Sequence, residues 1–441
     1  MGIQASMPVT QEAAEHIAKD SLLGLRLWLL ILLTGAGAGL TSGLLMKLLR
    51  LAQHISFHYR QGDFLSGVEG VSGAHRVMVV VCAGILAGVV LRLVQKIPDH
   101  RGPGLNDAIR EHDGELPEQS MTVKAILSIV VVGMGAAIGR EAALKEAGGL
   151  VGKKLADLFR LTQEQRKLLV ACGVGAGMAA AYNVPFGGAL FTLEVLLDSV
   201  SVATVLPAFA TSFLATAVSW LMLPNVPTYQ FPELPVTRSL LLFALLAGPV
   251  LGLASVWFVR GVHWGKEHRP QGWVAVVLPI AIFATLGALA IPFPQLLGNG
   301  KNVVQLAFDE KLGVTLLGWL LILRPLATMF VLRAGVPGGL FTPTMTFGAL
   351  VGAVLGEAGH YVAPATDQRG FVLLGTGAVL AACTQAPVSS VVFVLELTGR
   401  ASTLIVPLLI VVCGAMLTFR RLETKTTSQK RGVLLRCDDA A

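Results

Sequence analysis

Of the 441 residues only 14% are charged, 54% are hydrophobic, and the mean hydropathy is +0.70. Soluble domains carry roughly 25% charged residues, so these values exclude one and indicate an integral membrane protein. The formal net charge is +7, and beyond Phe419 six cations (Arg420, Arg421, Lys425, Lys430, Arg431, Arg436) outnumber three acids, which places that end in the cytoplasm by the positive-inside rule.

The first twenty residues are polar and include acids, so no cleavable signal peptide is expected, and the myristoylation-like Met1–Ser6 is a chance match. Apolar segments follow at 22–49, 76–93, 122–138, 142–158, 168–181, 187–200 and 203–223. After a Pro-rich connection they resume at 239–262, 273–291, 314–332, 339–362, 371–382, 387–397 and 404–419. A span needs about 20 residues, and several of these are too short to cross alone. Polar connections are expected at 53–73, 95–120 and 298–311. No alternating strand pattern appears and open sheets cannot span a bilayer, so the fold is read as all-α. The 49 glycines suggest broken helices of the kind found around transporter cavities. Cys82, Cys172, Cys383, Cys413 and Cys437 form no C-x-x-C pair and read as small apolar residues.

Gly139-Arg140-Glu141-Ala142-Ala143 interrupts the apolar sequence with an acid. An ionisable group inside a span is expensive and marks a functional site by default. Gly139 reads as a break, with Glu141 at the start of the next helix. Free N–H groups and the dipole there favour an anion, and a carboxylate in such a site can leave it on protonation. The bland alternative is an ion pair with Arg140 or a simple cap. Lys145 stands four residues on and is a candidate partner. The cations Lys153, Lys154, Arg160, Arg166 and Lys167 read as a solvated or lipid-facing patch.

The chain repeats itself. Gly173, Gly175, Ala176, Ala179, Ala180, Pro185, Phe191, Leu193 and Glu194 recur at an offset of 202, ending in Glu396. Gly139–Ala143 faces Gly339-Leu340-Phe341-Thr342-Pro343 at an offset of 200. The expected organisation is a cytoplasmic segment 1–21, a first repeat 22–224, a connection 225–235, a second repeat 236–419 and a basic cytoplasmic tail 420–441. Paired broken helices imply a site where inverted repeats meet.

With these motifs in this order, the chain resembles the CLC family of chloride channels and chloride/proton exchangers from about Leu22 to Phe419. Gly139–Ala143 matches the family's Gly-Arg/Lys-Glu-Gly-Pro, 339–343 its Gly-x-Phe-x-Pro, and Asn183–Glu194 its Asn-x-Pro-x-x-Gly-x-Leu-Phe-x-x-Glu. The resemblance makes Glu141 the gating glutamate, with Gly139, Arg140, Gly339, Leu340 and Phe341 around the anion. Gly102-Pro103-Gly104-Leu105 stands where the family has Gly-Ser-Gly-Ile, so Pro103 offers neither hydroxyl nor N–H. In the family, plant members with Pro here prefer nitrate, and the fluoride-exporting branch also alters the motif. The tyrosine that completes the inner site in the family has no match. Exchangers of the family carry an acid where this chain has Val195, as channels do. Glu194 beside it reads as a helix-end acid or as a candidate proton relay.

No hydrolase, nucleotide-binding or zinc-protease motif appears, so no enzyme activity, cofactor, metal or nucleic-acid partner is expected. The family's cytoplasmic regulatory domains are expected to be absent, because the chain ends soon after the last span. The reading is a passive, channel-like carrier of chloride or a similar monovalent anion, gated by Glu141, in the bacterial inner membrane. The resemblance implies homodimers in the lipid bilayer. A proton-coupled exchanger and a non-transporting anion sensor are the alternatives.

Overall fold

The computed structural model describes residues 24–59, 62–360 and 367–427. The expected N-terminal segment 1–21, the tail beyond 427, Tyr361 and Cys437 lie outside the described residues. The first unit contains α1 (Leu25–Phe57), α2 (Phe64–Gly70), α3 (Gly73–Val94), α4 (Leu105–Glu111) and α5 (Glu118–Gly133). It continues through α6 (Glu141–Leu158), α7 (Gln163–Tyr182), α8 (Pro185–Phe191) and α9 (Val202–Ser219). The second holds α10 (Arg238–Glu267), α11 (Val274–Leu289), α12 (Lys301–Phe308) and α13 (Val314–Arg333). It ends with α14 (Phe341–His360), α15 (Gln368–Thr384), α16 (Pro387–Thr398) and α17 (Ile405–Thr427). Apart from α2, each helix of the first unit has a counterpart, in order, in the second.

Three stretches expected to be plain connections contain helices: α2, α4 and α12. They have seven or eight residues each, too few for a period to stand out. α17 runs on to Thr427, so the first part of the expected tail continues the last helix.

Among the described residues, six helices are long and apolar enough to cross a membrane: α1, α3, α9, α10, α13 and the stretch Ser402–Glu423. α1, with 33 residues, is about 50 Å long at 1.5 Å per residue and exceeds a ~30 Å hydrocarbon core, which favours tilt. Several of the helices between them are internal: every residue of α15 from Gly370 to Thr384 is buried.

These inner helices pack by backbone contact. A methyl group at Gly148 of α6 would strike the Gly173 carbonyl of α7, and one at Gly348 of α14 the Gly375 carbonyl of α15. Small residues permit this approach, and lipid supplies no hydrophobic drive to replace it. α7 ends at Asn183 in the left-handed region (φ 58°), and α15 ends at Gln385 the same way (φ 56°). Pro185 and Pro387 then open α8 and α16 at the first helical position, where no donor is lost.

Among the contacts between the two units, two fall at broken-helix starts. Gly139 and Gly339 exchange both backbone hydrogen bonds, at 2.8 and 2.7 Å, in an antiparallel bridge. α6 and α14 leave it in opposite senses, as inverted repeats require. The second contact is reciprocal capping. The Glu194 carboxylate accepts from the N–H groups of Val388 and Ser389 at the start of α16 (3.1 and 2.7 Å). That of Glu396 accepts from Phe186 and Gly187 at the start of α8 (3.1 and 2.6 Å).

Candidate functional site at the repeat junction

The site begins at the Gly139–Gly339 bridge. The ladder holds two residues, Arg140 caps α6, and Glu141 is the first helical residue. The break expected at Gly139 is therefore where the structure has it. Glu141 is fully buried, and its side chain reaches across the bridge to the other repeat. One carboxylate oxygen, Oε1, accepts from the Thr342 N–H (3.1 Å), the Thr342 hydroxyl and the Tyr182 hydroxyl (2.6 Å). The carboxylate therefore occupies the N-terminal, positive end of α14. The other oxygen, Oε2, has no hydrogen-bond donor among the described residues. It lies so close to Gly139 and Gly339 that a Cβ at either would overlap it, which explains glycine at both positions.

Around this core the sequence candidates gather in part. Phe341 opens α14, its ring 6.0 Å from Tyr182 and 4.8 Å from Phe393. The Leu340 carbonyl accepts from Thr344 and closes the first turn. The Arg140 guanidinium stacks over the Tyr182 ring at 4.9 Å, and its Nε donates to the Tyr182 hydroxyl at 3.4 Å. One turn along α6, the buried Lys145 ammonium lies 5.5 Å over the Phe191 ring. A further turn on, Gly149 faces the side chain of Leu105 at the start of α4. Positions 141, 145 and 149 thus form one stripe from the bridge to the 102–105 segment.

That segment differs from the expectation in one respect. The Gly102 N–H donates to the Asp99 carbonyl at 3.0 Å and is occupied by the chain itself. The donors that α4 presents are the N–H groups at its own first turn, after the cap residue Gly104. Glu194 lies in a π-helical turn, Thr192–Leu197, that has no counterpart in α16, and the Val195 carbonyl in this turn accepts from Arg110 at 2.7 Å. Of the basic patch, Lys153 pairs with Glu118 and Asp157 at 2.7 and 2.6 Å, and Arg166 pairs with Glu115 and Asp157.

A cavity of about 800 Å³ opens beside the bridge, lined among others by Arg50, Asp63, Arg140, Tyr182 and Lys301. Asp63 is engaged there by the Ser66 N–H and by Asn302 (3.0 and 2.6 Å). Burial, reinforced by Arg140 and Arg50, lowers the Lys301 ammonium from its usual range to about 8.

Sequence reasoning passed over Tyr182 and Thr342. Thr342 sat in a variable place of the Gly-x-Phe-x-Pro motif. Tyr182 adjoined the Asn183 motif, and a phenol closing an otherwise small, apolar helix was the available signal.

The family pattern described as voltage gated chloride channel matches residues 83–420. A putative chloride channel protein, ClcB-like, of Ralstonia nicotianae is 31% identical over 339 residues, covering 73% of this chain and 77% of its own. The voltage-gated ClC-type chloride channel ClcB of Salmonella typhimurium is 28% identical, covering 87% and 93%. Among solved structures, a slow cyanobacterial Cl⁻/H⁺ antiporter superposes with a TM-score of 0.80 at 20% identity, covering 92% of this chain and 99% of its own. A CLC-type fluoride/proton antiporter gives 0.74 at 21%, covering 90% and 95%.

Proposed function

The chain belongs to the voltage-gated chloride channel family, and we propose that it carries chloride or a similar monovalent anion through a pathway closed by Glu141. The observation that carries this reading is the Glu141 carboxylate itself. It is fully buried, negatively charged when ionised, and seated on the donors of α14 where an anion of the same charge would bind. Protonation removes that charge and the reason to stay, which opens the site to the transported ion. The stripe through Lys145 to Leu105 then continues the pathway, and the cavity beside Arg140 is its outer mouth.

Val195, where the exchangers of the family carry an acid, supports passive movement, as does the description of the relatives as channels. Both Glu194 oxygens are occupied in capping α16, which supports a structural role over a proton relay. The second reading, a proton-coupled exchanger, draws on the solved structures, both described as antiporters. The reading includes a homodimer in the bacterial inner membrane with its C-terminus in the cytoplasm.

The test is the reversal potential of purified protein in planar bilayers under a chloride gradient, then with an added pH gradient. A reversal at the chloride Nernst potential, indifferent to pH, fits the channel. Displacement by the pH gradient replaces it with the exchanger. Glu141→Gln, which mimics the protonated side chain, is expected to leave flux nearly flat from about pH 5 to 7; retention of the wild-type profile removes Glu141 as the gate.

A further inference from the structure

The backbone N–H of Thr342 is imposed by the helix, but the two hydroxyls on Glu141 are choices of sequence. The Tyr182 and Thr342 hydroxyls lie 3.0 Å from each other and both reach the same carboxylate oxygen. The three side chains are at most 4% exposed, so water does not compete for them freely. Arg140 fixes the phenol from behind, stacked on its ring and donating to its oxygen. A phenol that accepts from a guanidinium is polarised to donate more strongly to a carboxylate.

We infer that Tyr182 and Thr342 form a hydroxyl clasp that holds Glu141 in the pathway and sets the pH at which the gate opens. The inference rests on the gate reading of Glu141. Its logic is one of donors and acceptors. An ionised carboxylate only accepts, and three donors on one oxygen match it. On protonation the proton displaces one of the three donors if it sits on Oε1, and if it sits on the free Oε2 it leaves Oε1 an uncharged and weaker acceptor for all three. Hydrogen bonds to the charged form favour that form. The clasp therefore keeps the gate closed to lower pH than the helix start alone would. When Glu141 leaves, the same two hydroxyls face the vacated place and serve the incoming anion. At the other end of the pathway Pro103 itself offers no hydroxyl.

Other charged and titratable groups bear on Glu141 as well. Arg140 adjoins it, Lys145 lies on α6, and Tyr229 approaches from the connection before α10. Lys301 on α12 and Arg50 on α1 line the cavity beyond. The cations favour the ionised form, and all remain in place when only the hydroxyls are removed.

The experiment is radioactive chloride efflux from proteoliposomes as a function of pH, for Tyr182→Phe, Thr342→Val, Thr342→Ser and Glu141→Gln. Each hydroxyl deletion is expected to raise the pH of half-maximal flux by about one unit, the scale of one charge-assisted hydrogen bond. Thr342→Ser keeps a hydroxyl and is expected to hold the wild-type midpoint. Gel-filtration profiles identify any variant that fails to fold, and Thr342→Val against Thr342→Ser decides the matter if Tyr182→Phe does. If Glu141→Gln flattens the profile while neither hydroxyl deletion moves the midpoint, the clasp is overturned and the gate stands. If Glu141→Gln keeps the wild-type profile, the gate fails and the clasp falls with it.

Discussion

At the residue scale, the closest constraint on Glu141 comes from two glycines rather than from any charged neighbour. Neither Gly139 nor Gly339 has a positive φ, so alanine is conformationally acceptable at both. The obstacle is space, because a Cβ at position 339 falls on the Glu141 carboxylate. Overpacking a closed site costs about 1–3 kcal/mol; the carboxylate yields by swinging away, and the contacts at 2.8 Å to the Glu141 Cβ and 2.9 Å to the Ala142 backbone nitrogen require the bridge itself to widen slightly. Gly339→Ala is therefore expected to displace Glu141, raise chloride flux several-fold at pH 7.5 and weaken its pH dependence. Efflux assays at pH 5 and 7.5 check this; a variant that folds and stays closed at pH 7.5 contradicts it.

At the element scale, the reciprocal caps argue that the repeats stabilise one another. Each glutamate closes the helix start of the opposite unit, so neither α8 nor α16 is fully capped by its own repeat. A charged acceptor on helix-start N–H groups contributes about 1–3 kcal/mol. Glu396→Ala and Glu194→Ala are each expected to lower the thermal midpoint in detergent, with the double variant less than additive if the two ends loosen together. The relay reading of Glu194 predicts another pattern, in which Glu194→Ala alters proton movement and Glu396→Ala does not.

The same contacts explain what was legible in the sequence. The glycine break and the paired prolines are local, and each shows in neighbouring letters. Tyr182 lies 41 residues from Glu141, whereas Thr342 and the partners of Glu194 lie about 200 residues away, across the repeat junction. No periodicity connects them, so Thr342 and the cap on α16 emerge only in three dimensions. Pattern reading also overlooked α4 and α12, whose few residues carry too little period.

At the scale of the whole molecule, the cavity beside Arg140 gathers charge from distant parts of the chain: Arg50 from α1, Arg140 from the bridge and Lys301 from α12. Asp63 opposes them, but its carboxylate is already shared between Ser66 and Asn302. The balance is positive and suits a mouth that concentrates anions. A unit charge about 8 Å from an ion is worth roughly 0.5–2 kcal/mol between the dielectric of water and an effective value near 20. Lys301 is the member that titrates within reach of ordinary buffers. Burial holds its ammonium down to about 8, so it is charged below that pH and neutral above it. Anion capture is accordingly expected to weaken as pH rises through about 8. Lys301→Met removes this alkaline decline and leaves flux lowered roughly 2- to 10-fold at pH 7 and low salt, a difference that shrinks as salt screens the mouth. Lys301→Arg keeps the charge at every pH tested and removes the decline without the loss. The acid limb, which belongs to Glu141, is expected to persist in both variants, so the two limbs separate in one set of pH profiles. An alkaline decline that persists in Lys301→Arg assigns the titration to another group.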